Sequence, residues 1–169
     1  LRLIEGFEDL QLQNDETLPD LTAQFRHDGD WGHVQVAGIL RKVGFEVRQS
    51  SVDAWRTGSE TGWGINLGST INTLGKDKIL LQVVYGEGIA SYMNDGGMDL
   101  APAAQFDEDA VTDVEAEAVP LLGVVAYYDH YWNDRWSSSI GYSFTEVDNT
   151  NFQDPTTFQK GDYASTNLL

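Results

Sequence analysis

The segment Arg135–Val147, RWSSSIGYSFTEV, places Trp136, Ser138, Ile140, Tyr142, Phe144 and Glu146 on even positions. Arg135, Ser137, Ser139, Gly141, Ser143 and Thr145 occupy the odd ones. Successive strand side chains point to opposite faces, so an extended chain here has one aromatic and aliphatic face and one small, polar face. The period recurs. In Asp20–His27, Leu21, Ala23 and Phe25 oppose Thr22, Gln24 and Arg26. In Gly62–Thr73, Trp63, Ile65, Leu67 and Ile71 oppose Gly64, Asn66, Gly68, Thr70 and Asn72. Such a chain suits a sheet lying between an apolar medium and a wet one.

Punctuation separates two kinds of connection. HDGDW (His27–Trp31), LGKDK (Leu74–Lys78) and WNDRW (Trp132–Trp136) carry the Asp, Asn and Gly that tight turns need. Asp9–Pro19, Gln49–Thr61, Met93–Glu115 and Asp148–Lys160 read as long loops. Strands are then expected over 1–8, 20–27, 31–47, 62–73, 78–92, 117–131, 135–147 and 162–169. Within 31–47, Val34, Val36 and Leu40 oppose His33, Gln35 and Arg41, but Phe45 and Val47 fall on the other parity, which suggests a bulge at Gly44. Strands 78–92 and 117–131 are apolar on both faces for several residues, as at a subunit interface or a filled lumen.

Trp31, Trp132 and Trp136 gather at the short turns, and the long loops all fall at the opposite end. Aromatic girdles and short turns opposite long loops are features of transmembrane barrels. The fold class expected is therefore all-β, a single domain over 1–169, forming an up-and-down antiparallel transmembrane β-barrel with about eight strands in this chain. The alternative is a soluble secreted β-sandwich that binds carbohydrate or a surface partner; its loops would emerge at both ends. A third reading is an outer-membrane enzyme or adhesin on a small closed barrel.

Composition sets bounds. The net charge of -17 argues against unaided binding of nucleic acid. There is no cysteine, which removes disulfides and thiolate metal sites. No apolar run is long enough for a transmembrane helix, which leaves strands as the means of crossing.

The stretch LPDLTAQFRHDGDWGHVQVAGILRKV (Leu18–Val43) resembles the DcaP-like trimeric outer-membrane porins, with their LPDLTARY-type strand, GxWGHVQLAG-type hairpin and closing LLR. GWGINLG (Gly62–Gly68), DKILLQVVYGEGIASYM (Asp77–Met93) and YASTNLL (Tyr163–Leu169) are similar in style and order. The resemblance implies a barrel of roughly 16 strands, of which this chain holds the middle-to-late half, with N- and C-terminal strands elsewhere. It also implies a homotrimer in the outer membrane of a Gram-negative bacterium, in contact with lipid and lipopolysaccharide. The implied activity is passive diffusion of small anionic, dicarboxylate-like solutes, with no cofactor and no catalysis.

Candidate pore-lining residues follow from polar-face parity. Arg26, Arg41 and Arg135 each offer a permanently charged planar fork suited to a carboxylate. Arg41, furthest into its strand, is assigned to a constriction; Arg26 and Arg135, near turns, suit a periplasmic vestibule. The competing reading, of equal weight, is that these arginines pair with lumen carboxylates and hold the wall together. Gln24, His33, Gln35, Asn66 and Asn72 supply uncharged lining. His33 reads as a hydrogen-bonded lining residue rather than a ligand. No metal site is expected; Asp107, Glu108 and Asp109, in the acidic stretch after Met93, are weak candidates for calcium, without EF-hand spacing. No nucleophile elbow or catalytic pair stands out.

Overall fold

The computed structural model of the chain describes residues 11–14, 18–49, 54–94, 96–103, 115–151 and 153–169. In chain order the strands are β1 (Gln11–Asn14), β2 (Leu21–Gly29), β3 (Gly32–Gln49), β4 (Ala54–Asn72), β5 (Lys78–Glu87), β6 (Leu100–Pro102), β7 (Ala116–Ala118), β8 (Pro120–Tyr131), β9 (Ser137–Val147) and β10 (Lys160–Leu168). A 3-10 turn covers Ala90–Tyr92. β6 and β7 form a small hairpin of their own, and the rest form one antiparallel sheet.

The sheet is a meander ordered β2-β3-β4-β5-β8-β9-β10. β2 pairs with the first half of β3, from Gly29↔Gly32 to Leu21↔Leu40, and β1 pairs with the far end, from Asn14↔Phe45 to Gln11↔Arg48. Among the described residues nothing pairs with the outer edge of β2 or of β10, so the sheet is open there and no closed barrel is seen.

Register carries the two-faced pattern across the whole sheet. Directly paired residues point to the same side, and one row reads Phe25, Val36, Leu67, Val83, Val124, Phe144. The row beside it, on the other face, reads Arg26, Gln35, Gly68, Gln82, Val125, Ser143, Tyr163. No second sheet covers the apolar face among the described residues: Phe25 is 69% exposed, Ile140 61% and Ile65 48%.

The three short connections share one end. At Gly32 (φ 127) the backbone passes so close to the Thr70 carbonyl that a side chain would collide with it, and the Asn72 N–H bonds the Trp31 carbonyl at 2.7 Å. Gly75 (φ 65) turns β4 into β5, closed by Thr73 N–H to Asp77 O at 2.9 Å. In the third, Asn133 Oδ1 accepts the N–H groups of Arg135 and Trp136 at 2.9 and 3.1 Å, the local bond that suits Asn to turns. Trp132 and Trp136 stand exposed at this end with Trp31.

Several expectations need correction. The expected strand 1–8 lies outside the described residues, but the loop expected over Asp9–Pro19 contains β1. The loop expected over Gln49–Thr61 is mostly strand: β3 and β4 stay paired as far as Gln49↔Ala54, because the β3 backbone recruits the polar stretch Thr57–Glu60 whatever its side chains. Gly44 is no bulge, since pairing runs unbroken from Arg41↔Gly62 through Phe45↔Gly58. Val43 and Phe45 keep the inner parity and are buried there, 1% and 3% exposed. β5 stops at Glu87, where Gly88 (φ 65) turns the chain away. β9 starts at Ser137, which leaves Arg135 in the turn rather than on a strand face.

Candidate functional site

The small-residue face is the inside of a trough. One cavity of about 890 Å³ touches residues from β2 to β9, including Thr22, Gln24, Asn66, Gln82, Ser143 and Thr145, so the sheet curls around it. The segment after Gly88 folds back into this trough. Ile89 seats over Gly64 and Gly86, where an added Cβ would come within 2.8 Å of its Cδ1 at either glycine. Met93 lies over Gly123 in the same way. Ala90, Ala101, Val119, Leu121 and Val147, with Met93, bury one another into a small core. This segment covers the inner face at the ends of β5 and β8, which accounts for the apolar inner positions there.

Arg41 fastens the infolded segment. Its Nη1 donates to Asp99 Oδ2 at 3.0 Å, Ser91 Oγ at 2.7 Å and the Gly88 carbonyl at 3.2 Å. Its Nε lies 3.4 Å from Asp20 Oδ2, and its guanidinium carbon sits 5.2 Å from the Tyr92 ring centroid. Tyr92 donates its hydroxyl to Asp20, and Asp99 Oδ1 accepts the Ser91 N–H at 2.9 Å. Arg41 is 8% exposed and Asp99 2%. Buried charges persist only when paired and hydrogen-bonded, and this pair is both. Arg41 thus has the carboxylate partners of the competing reading through Nη1, while its buried Nε lies near Asp20 without a hydrogen bond.

The other arginines are elsewhere. Arg26 is exposed on the inner face and grips Asp28 through Nε and Nη2 at 2.7–3.1 Å. Arg26 is the direct partner of Gln35, and Arg41 lies six residues further along β3, about 20 Å away at strand rise. With Arg135 in the turn, the three do not form a ring.

The uncharged lining groups do meet. Gln35 Nε2 donates to Gln24 Oε1 and Gln82 Nε2 donates to Asn66 Oδ1, both at 3.2 Å. His33 and Thr70 are paired across β3 and β4 on the same face. Asn72 serves the turn instead, donating Nδ2 to the Asp30 carbonyl at 3.0 Å. Gln82, Tyr127 and Asp99 were not among the residues singled out from sequence. Gln82 and Tyr127 lie in strands apolar on both faces, where parity gives little contrast. Asp99 lies beside the apolar run Leu100–Ala101, the one local sign that it differs from the surrounding acids.

At the turn end, Asp77 is 5% exposed and collects three donors. Tyr128 hydroxyl and His130 Nδ1 lie 2.6 and 2.7 Å from Oδ2, and Tyr131 N–H lies 2.8 Å from Oδ1. The Tyr128 hydroxyl above all, then the Tyr131 N–H and His130, hold its carboxyl down at about 2. Its neighbours and partners give this a fastening role, between the β4–β5 turn and the end of β8.

Asp107, Glu108 and Asp109 lie outside the described residues, and among the described residues no group of three potential ligands converges. No helix of the described residues is long and apolar enough to cross a membrane, which says nothing of crossing by strands. No protein family, curated protein or solved structure matches the chain.

Proposed function

We propose that this chain is a wall segment of an outer-membrane porin, a passive channel for small solutes with a preference for organic anions of the dicarboxylate kind. The observation that carries the reading is the two-faced sheet: an uncovered apolar face bearing Leu21, Phe25, Ile65, Leu67, Ile140 and Tyr142, backed by a trough of glycine, amide and hydroxyl. An exposed apolar face of this extent suits lipid, and a polar trough behind it suits enclosed water. The aromatic cluster at the short turns fits the interfacial level of a bilayer. The infolded segment narrows the trough at the long-loop end.

The solute class rests on the resemblance; Arg26, exposed on the inner face among the described residues, is paired there with Asp28. Completion to about 16 strands and assembly as a homotrimer rest on the resemblance. The open edges of β2 and β10 are compatible with further strands on both sides. The test is insertion of the purified protein into planar bilayers. Stepwise conductance with a reversal potential displaced toward the anion is expected; a protein that stays monodisperse in plain buffer and opens no channel would replace this reading with the soluble sandwich.

A further inference from the structure

The inner face holds a second depression, about 270 Å³, centred on Gly68. Gly68 sits between Gln35 and Gln82 in one row of the sheet, and an added Cβ there would meet no atom within 4 Å. The two walls differ. On the β3–β4 side stand His33, Gln35, Asn66 and Thr70, with Gln82 closing the rim. On the far side stand Leu80, Val125 and Tyr127. The Tyr127 ring lies over Gly141, and its hydroxyl is 3.2 Å from Ser165 Oγ, so the aromatic wall is held in place.

No Asp, Glu, Lys or Arg lines this depression. The nearest cation by register, Arg26, is occupied by Asp28. Side-chain amides and hydroxyls offer donors and acceptors together, which matches a hydroxyl group, itself both. A carboxylate only accepts, so it would use the donors of this wall and leave the free amide oxygens unanswered. An apolar wall opposite a hydrogen-bonding wall fits a ligand with a C–H face and a hydroxyl edge. The volume lies just below the usual range for small-molecule pockets, so it suits one ring rather than an oligomer.

We infer that the depression over Gly68 is a binding subsite for an uncharged, hydroxylated solute the size of a single sugar ring. The subsite uses the water-facing trough of the proposed channel but extends its solutes beyond anions. Glucose is the probe. In bilayers, glucose is expected to reduce the ion current in a saturable way. Gly68→Val puts a side chain into the depression, its Cβ meeting no atom within 4 Å, and it should raise the half-blocking concentration by about tenfold or more, equivalent to about 1.4 kcal/mol. Gln82→Leu removes a rim amide and should act in the same direction. Open channels that glucose does not block, or that succinate blocks at lower concentration through the same Gly68-dependent site, overturn the inference. Calorimetric titration of the detergent-solubilised protein with glucose reads the site without a channel. Heat there that Gly68→Val abolishes supports the subsite even if no conductance appears, which would sink only the porin reading; no heat overturns the subsite.

Discussion

At the turn end of the sheet, connections of a few residues close on themselves through backbone bonds, with Asn133 and Asp77 satisfying N–H groups within reach. At the long-loop end, the segment from Gly88 to Met93 returns over the sheet, and its order rests on a buried ion pair and a floor of glycines. The first kind of order is local and tolerant of change on either side. The second depends on groups far apart in sequence, a buried charge on each side answering the other. Substitutions should therefore be felt most at the loop end, although the turns look more tightly built.

Arg41→Ala should test this most severely. It leaves Asp99 buried without its partner, at a cost of about 3–5 kcal/mol. Unfolding in detergent should show the loss, and limited proteolysis should open new cleavage between Gly88 and Ala103. A loss no larger than that of an exposed pair would erase the contrast between the two ends. Gly86→Val comes next: its side chain would meet the Trp63 carbonyl and Ile89 Cδ1, and overpacking of this kind costs about 1–3 kcal/mol. The same unfolding measurement reads it, with Gly68→Val as the tolerated comparison.

Asp77→Asn sharpens the turn side. The folded carboxyl is held at about 2, below its unfolded value, so its stabilisation is complete above about pH 4 and fades as pH falls toward 2. The gap in thermal midpoint between parent and variant should be full at neutral pH and should close over that acid window. A gap unchanged down to pH 2 would mean the carboxylate charge contributes nothing. Arg26→Ala should do least to stability, since its pair with Asp28 is exposed. On the proposed channel reading its effect is on ion selectivity: the reversal potential in a salt gradient should shift toward cations, and no shift would remove Arg26 from the anion reading.

What could be read from sequence follows the same division. β2 and β9 fall within a few residues of their expected bounds because period-two alternation and Asp-Gly or Asn-Asp turns are local signals, and the end of β8 is set by the same Asn-Asp turn. The start of β4 is hidden because Thr57, Gly58, Ser59 and Glu60 look like loop, and only pairing with β3 makes them strand. Phe45 and Val47 looked like a slipped register because sequence does not show that the inner face becomes covered at Phe45. The infolding of Ile89 and Met93 is likewise a tertiary event: Gly64, Gly86 and Gly123 are scattered along the chain and form a floor only once the strands are in register. Among the site candidates, parity placed Gln24, Gln35 and Asn66 on the inner face, yet the partner of each amide was beyond reach of pattern. Arg135 was misplaced by the few residues that separate a turn from a strand.

Among the described residues the margins of β2 and β10 are unpaired, and this carries a consequence for assembly if the sheet lies in a bilayer as proposed. Each presents a ladder of amide hydrogens and carbonyls that hydrocarbon cannot solvate, and every unanswered group there costs several kcal/mol. In the proposed channel, insertion would therefore coincide with zipping: a strand against each margin would have to arrive before the polypeptide left water. A sheet delivered with either seam open would recruit a neighbour by the same chemistry and grow sideways into an aggregate instead of sealing.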